Sequence, residues 1–129
     1  HTIDINQELK SMCEHYFKKA SISEKVSLHT GNAMNIIPTI DAEFDLVFID
    51  ADKENYSNYF DLIIDRMPIG GYIIADNVLW SGKVVEEVNS KDIETQGLIA
   101  FNKKIHESNK VENLLLPIRD GLMICKKVQ

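Results

Sequence analysis

The sequence predicts an α/β fold, a doubly wound and mostly parallel sheet that closes with an antiparallel hairpin. Three observations carry this expectation. Strand-length apolar runs alternate with segments whose apolar residues recur at helical spacing, almost to the end of the chain. Two of those runs, Phe44-Asp-Leu-Val-Phe-Ile-Asp50 and Gly71-Tyr-Ile-Ile-Ala-Asp76-Asn77, stop on a carboxylate, the second adding an amide. Near the end, Arg119-Asp120-Gly121 separates two further apolar runs, and Asp-Gly is a strong hairpin signal. Repeated strand–helix units imply a parallel sheet covered on both faces, to which the hairpin adds an antiparallel strand.

In order, residues 2–5 read as a strand. Leu9, Met12, Cys13, Tyr16, Phe17 and Ala20 then recur along one helical face between Gln7 and Ala20. Val26–Thr30 is a short strand, and Gly31-Asn32-Ala33 opens a brief helical turn that ends near Pro38. Asp45–Asp50 is a buried strand. Tyr56, Tyr59, Phe60, Ile63, Ile64 and Met67 mark the next helical face, which Pro68 and Gly70-Gly71 terminate. Tyr72–Asp76 is a strand, and Val78 to Lys91 is mixed and loop-like. A helix from about Asp92 to Ser108 is weakened by Gly97. Val111–Ile118 and Leu122–Val128 form the arms of the hairpin.

The chain has 129 residues, room for one domain with a real core, and its 26% charged and 44% hydrophobic composition is that of an ordinary globular protein. A formal net charge of −6 argues against a nucleic-acid footprint, which needs a basic face. There is no run of 18 apolar residues to span a membrane. Cys13 and Cys125 sit in apolar patterns and are expected as buried thiols in a reducing cytoplasm rather than as a disulfide. His1, His15, His29 and His106 show no metal-ligand spacing, so zinc is not expected. The chain opens directly into a strand-like Thr2-Ile-Asp-Ile5, which reads as the later part of a longer polypeptide.

Function is sought at the carboxyl ends of the strands, where doubly wound sheets bind their ligands. Asp50 and Asp76 are separated by one crossover helix, so their strands are expected to be neighbours about 4.8 Å apart. Two carboxylates that close repel each other and raise one pKa unless a cation sits between them. With Asn77 they make an oxygen set suited to a hard divalent ion. Alone, each aspartate could be a turn former or helix cap. Asp4, near the end of the first strand, resembles an acid that hydrogen-bonds a ribose, or else a solvated residue at a helix start. Lys53 borders the site, as a solvated charge or as a group that accepts a proton or holds an anion. Asp52 reads as a helix N-cap or a polar contact to a cofactor. Tyr56 and Tyr59 fit a core stripe. Trp80 is the single tryptophan, either core or the wall of a pocket for a flat substrate. Arg119 and Asp120 are solvated turn residues by default.

The run Phe-Asp-Leu-Val-Phe-Ile-Asp-Ala-Asp-Lys-Glu-Asn-Tyr, followed by Gly-Gly-Tyr-Ile-Ile-Ala-Asp-Asn-Val-Leu-Trp-Ser-Gly, resembles the cation-dependent O-methyltransferases. That group includes caffeoyl-CoA and catechol O-methyltransferases and many small bacterial relatives. The Thr-Ile-Asp-Ile-Asn opening, the Gly31-Asn32-Ala33 turn and the Leu-Pro-Ile-Arg-Asp-Gly-Leu ending are similar too, in the same order over nearly the whole chain. Because Ala51-Asp52 follows Asp50, the bacterial and caffeoyl-CoA branch is the nearer one.

The resemblance implies a Rossmann-like methyltransferase sheet and S-adenosylmethionine-dependent transfer of methyl to a phenolic or catechol-type oxygen, assisted by Mg²⁺, Mn²⁺ or Ca²⁺. It assigns Asp50, Asp76 and Asn77 to the metal. Asp4 would bind the donor's ribose, and Ala33 would meet its adenine through the backbone. Asp52 and Tyr59 would line the donor's amino-acid end, with Asp50 counted in the donor set as well as the metal set. Lys53 would be the catalytic base or anion holder, and Trp80 would shape the acceptor pocket. The resemblance is consistent with a homodimer.

Two departures stand out. The family carries a glycine-rich loop and a first strand ahead of the ribose acid, and that strand lies in mid-sheet. The six glycines here form no such loop, so the chain is expected to be a C-terminal portion lacking the N-terminal helices and that strand. Arg119 stands where relatives often carry Gly. The competing expectation is a non-catalytic, methyltransferase-like interaction module whose exposed strands pair with a partner. Donor binding distinguishes the two. A phosphoryl-transfer domain would need a phosphate-cradling glycine loop that the sequence lacks.

Overall fold

Period-two and period-3.6 patterns alternate along the chain, and the elements follow them. The computed structural model describes all 129 residues, which divide into two compact units, His1–Asp41 and Ala42–Gln129.

In the first unit, β1 (Thr2–Asp4) pairs in parallel with β2 (Leu28–Thr30), with Asp4 opposite Thr30. Between them a 3₁₀ turn at Gln7–Leu9 leads into α1 (Lys10–Lys19); Asn6 caps the turn by accepting from the Glu8 N–H at 2.9 Å. The helix forms where its apolar stripe predicts, but the stripe is not buried. Met12 and Tyr16 are at least half exposed, and no residue of α1 is fully buried. Cys13 is a half-buried free thiol. Beyond β2, Asn32 caps the short α2 (Ala33–Ile36) by accepting from the Met34 N–H at 2.8 Å.

The second unit holds a four-stranded sheet in the order β3 (Leu46–Ile49), β4 (Tyr72–Asp76), β6 (Leu122–Lys127), β5 (Val111–Leu116). β3 and β4 are parallel, and the last two strands form the expected hairpin, with β6 antiparallel to β4. The strands therefore belong to two sheets, of two and four strands.

α3 (Tyr56–Ile64) buries Tyr56, Tyr59, Phe60, Ile63 and Ile64, and α4 (Ile93–Glu107) buries Thr95, Leu98, Phe101 and Ile105. They pack with Ile49, Ile73, Ala75, Met123 and Cys125 from one face of the sheet. Each such apolar side chain contributes about 1.5–3 kcal/mol by leaving water. Asp92 caps α4 through the Thr95 N–H. The other sheet face is partly exposed in this chain. Phe48, Ile74, Ile124 and Leu114 line up in register across all four strands, and Phe48 and Leu114 are each 57% exposed. No helix is long and apolar enough to cross a membrane.

Gly97, which weakens α4 by propensity, has a packing reason. A Cβ there would lie 2.6 Å from the Glu54 Cα and 2.7 Å from the Lys53 carbonyl oxygen, so α4 rests directly on the backbone of the 3₁₀ turn Lys53–Asn55. Neither backbone atom can swing aside. Gly97→Ala is therefore expected to destabilise the fold by about 1–3 kcal/mol, the range for overpacking, as read by urea denaturation, although alanine is the better helix former.

Burial pushes the Cys125 thiol up from 9.0 to about 12. The folded chain holds that proton more tightly than the unfolded one, so the stability it lends is lost as pH rises from 9 towards 12. At pH 8, a thiol reagent is expected to label Cys13 in the native protein and to reach Cys125 only after denaturation.

Candidate active site

The parallel pairing of β3 and β4 sets Ile49 opposite Ala75, so the next residues, Asp50 and Asp76, leave the sheet side by side. Asn77 follows in a left-handed conformation, φ 60°, which asparagine tolerates better than most residues. The Asp76 carboxylate accepts from the Asn77 N–H at 2.7 Å.

Lys53 arrives from the opposite direction. The 3₁₀ turn beneath α4 directs its side chain inwards, and Lys53 is only 6% exposed. Its Nζ donates to Asp50 Oδ1 at 3.2 Å, to Asn77 Oδ1 at 3.1 Å and to the Tyr56 hydroxyl oxygen at 2.5 Å. Two of the three expected metal ligands thus lie within reach of a single nitrogen. The Tyr56 hydroxyl faces the carbonyls of Asp76 at 3.0 Å and Ile49 at 3.3 Å, one on each strand. Tyr56 is fully buried, with its ring edge-on to Phe101 at 5.5 Å. Burial, reinforced by the charge of Asp50, pushes its hydroxyl far above the ordinary tyrosine range. The ammonium also lies 4.8 Å from the Tyr56 ring centre and 5.8 Å from that of Trp80, within cation–π range.

Asp52 forms a separate cluster. It accepts from the Tyr59 hydroxyl at 2.5 Å and from Asn55 Nδ2. Partial burial works to raise its carboxyl pKa, but these hydrogen bonds and the Lys53 charge outweigh that and hold it below the usual range. Tyr59 is pushed up, by burial first and then by its bond to Asp52. Asp52 makes no N-capping bond of its own.

In the first unit, Asp4 ends β1 exposed, and its Oδ1 accepts from the Asn6 N–H at 2.7 Å. The Gly31 N–H donates to the Asp4 carbonyl at 2.9 Å, which brings the start of α2, where Ala33 lies half-buried, to the same end of this small sheet.

Several residues differ from their default sequence reading. Lys53 is buried, not a solvated charge. Tyr56 belongs to the core stripe as expected, yet its hydroxyl bridges two strands and receives Lys53. The only cue in the sequence was a tyrosine where a phenylalanine would fill the same space. Asp120 is no solvated turn residue: its Oδ1 accepts from the Ser81 N–H at 2.5 Å, 39 positions away in sequence. Trp80 belongs to an irregular 3₁₀ stretch, Trp80–Val85, broken at Ser81 and Gly82, and its Nε1 is buried without a partner. No group of three or more His, Cys, Asp or Glu side chains is arranged to hold a metal ion; the candidate set has two carboxylates and one amide.

Comparison with known proteins identifies the family and the fold. The O-methyltransferase family model matches residues 1–128. Tricin synthase 2 of Oryza sativa subsp. japonica is 33% identical over 98% of this chain and 47% of its own length. The caffeoyl-CoA O-methyltransferase of Mesembryanthemum crystallinum is 34% identical, over 98% of this chain and 54% of its own. Among solved structures, an O-methyltransferase from Bacillus cereus in complex with S-adenosylhomocysteine superposes with a TM-score of 0.87 at 26% identity, covering 98% of this chain and 61% of its own. TomG, an O-methyltransferase from Streptomyces achromogenes solved with S-adenosylmethionine, shares the fold with a TM-score of 0.91 at 24% identity, over 99% and 61%. The chain spans about half the length of the curated relatives it matches. It belongs to the O-methyltransferase family.

Proposed function

We propose that the protein containing this chain transfers a methyl group from S-adenosylmethionine to a hydroxyl of a phenolic or catechol-type small molecule, with a divalent ion held by Asp50, Asp76 and Asn77. The observation that carries this reading is the meeting of Asp50 and Asn77 oxygens on one cationic group, the Lys53 ammonium, at the tips of adjacent parallel strands.

The donor set suits the ion. All three side chains offer hard oxygen ligands, as Mg²⁺, Mn²⁺ and Ca²⁺ prefer, and a positive charge already rests against two of them. When bound, such an ion would polarise the acceptor hydroxyl and lower its pKa. The remaining work falls to the chain itself. Lys53, steadied by Tyr56, either takes the acceptor's proton as a free amine or, as the ammonium, holds the phenolate oxygen left when that proton passes to solvent. That oxygen forms a bond to the donor's methyl carbon as the S–CH₃ bond breaks, and the sulfonium leaves as a neutral thioether. Little else is required beyond in-line placement, so orientation supplies much of the acceleration. The Trp80 ring offers a flat wall beside the Lys53 ammonium for an aromatic acceptor.

Donor contacts rest on family resemblance, with local support in each unit. Asp4 is an exposed carboxylate at the end of a parallel strand and Ala33 opens a helix, features suited to ribose and adenine. The Asp52–Tyr59 pair keeps a carboxylate ionised, fit to meet the donor's ammonium. A small-molecule acceptor, a cytoplasmic setting and a homodimer complete the proposal, supported by the acidic charge, the free thiols and the resemblance.

Calorimetry on the full-length protein tests the core of it. Saturable binding of S-adenosylhomocysteine is expected with or without Mg²⁺, and none at all would overturn the methyltransferase reading in favour of an interaction module. Asp76→Ala and Asn77→Ala are each expected to cut methyl transfer to a catechol acceptor about 100-fold or more, while binding of S-adenosylhomocysteine in the absence of metal stays within about twofold. Lys53→Met is expected to cost about 10²–10⁴-fold in kcat, the range for a general base, with the donor KM little changed.

A further inference from the structure

The segment after Asn77 is held in an unfavourable backbone conformation. Trp80 and Ser81 take φ values of 49° and 54°, and Gly82 follows at 86°. For residues other than glycine this region costs roughly 1–2 kcal/mol each, so other contacts must sustain it.

The hairpin turn between β5 and β6 supplies them. The Val78 N–H donates to the Gly121 carbonyl at 3.1 Å, and the Leu79 N–H to the Asp120 carbonyl at 3.0 Å. The Ser81 N–H donates to the Asp120 carboxylate at 2.5 Å. Asn102, from α4, adds a bond to the Val78 carbonyl at 2.8 Å. Leu79 lies over Gly121 so closely that a Cβ there would stand 2.5 Å from its Cγ; with φ at 85°, this position requires glycine.

Trp80 sits between the two bonds that Asp120 makes, one to the residue before it and one to the residue after. Its indole N–H is buried without a partner, so no hydrogen bond of its own fixes the ring. The backbone on either side, together with packing around the ring, then places it. That ring lies 5.8 Å from the Lys53 ammonium.

We propose that Asp120 is a positioning residue for acceptor specificity: by holding Ser81 and Leu79 it fixes the Trp80 ring against Lys53, and so sets the slot that a planar phenolic acceptor enters. This rests on the reading of Trp80 as the acceptor wall. The turn that closes the sheet thereby becomes part of the recognition machinery. Arg119, itself left-handed at φ 55°, is carried at its apex.

The test uses Asp120→Ala, with Asp120→Asn as the conservative variant that keeps an oxygen acceptor. Trp80 is the single tryptophan of this chain, so in the full-length enzyme, with any tryptophan outside this chain replaced by phenylalanine, the fluorescence reports on this loop alone. Asp120→Ala is expected to raise acrylamide quenching of Trp80 about twofold or more and to shift its emission, and Asp120→Asn to restore most of the wild-type signal. In the full-length enzyme with catechol as acceptor, Asp120→Ala is expected to raise the acceptor KM about tenfold, leaving kcat and the S-adenosylmethionine KM within about twofold. Unchanged quenching in a folded Asp120→Ala variant overturns the proposal, as does a loss confined to kcat. Should that variant fail to fold, Asp120→Glu, which keeps the charge but displaces the oxygen, decides by the same readings. Trp80→Phe separates the two layers of inference. An unaltered acceptor KM there removes the wall, whereas a quenching response to Asp120→Ala would still establish the clamp.

Discussion

The second unit depends on the parallel register of β3 and β4. Because Ile49 faces Ala75 across the ladder, the chain leaves both strands at the same height, and two carboxylates emerge together. Left alone, they would repel. The Tyr56 hydroxyl, poised between the carbonyls of Ile49 and Asp76, ties the two strand ends, while Lys53 brings a positive charge to Asp50 and Asn77. A slip of one residue in that register would turn every β3 side chain to the other face and dismantle the cluster. The local chemistry is thus a consequence of strand pairing, and the strand pairing is secured by the helices packed on Ile73 and Ala75.

A buried lysine is costly to desolvate unless hydrogen bonds and opposite charge compensate. Lys53 receives both, from Asp50, Asn77 and Tyr56, with two aromatic rings closing over it. The backbone beneath it is equally constrained, since α4 descends onto the Lys53 turn through Gly97. Residues separated by more than 40 positions therefore fix one amine. The amine is thus held in a fixed direction before any ligand arrives.

Much of this was legible in the sequence. Apolar runs ending on Asp50 and Asp76 announced strand tips, the tyrosine stripe announced α3, and Asp-Gly announced the hairpin, because periodicity and turn chemistry are local properties. Taking the two strands as neighbours led to an expected meeting of Asp50, Asp76 and Asn77; in the structure Lys53 links Asp50 and Asn77, while the Asp76 carboxylate accepts from the Asn77 N–H. What escaped was set by tertiary contact. Gly97 read as a weakness of α4, since nothing in its neighbourhood reveals a backbone passing 40 residues earlier. Asp120 read as a solvated turn because its partner, Ser81, lies in another element. The apolar stripe of α1 was legible as a helix, but a local pattern does not reveal which elements cover it, and in this chain none of its residues is fully buried. Division into two sheets accords with the expectation, drawn from the family resemblance, that this chain lacks a mid-sheet strand.

Taken by itself, this chain leaves the row Phe48–Ile74–Ile124–Leu114 exposed at both ends, which bears on the thermodynamics of the chain alone. Its outer side chains are already hydrated while folded, so unfolding has less apolar surface left to expose. The heat-capacity increment of denaturation should then fall below the usual value of about 12–15 cal/mol/K per residue. A smaller increment flattens the curve of free energy against temperature. Cooling consequently erodes the folded state more gently than it does in proteins whose sheets are sealed on both sides.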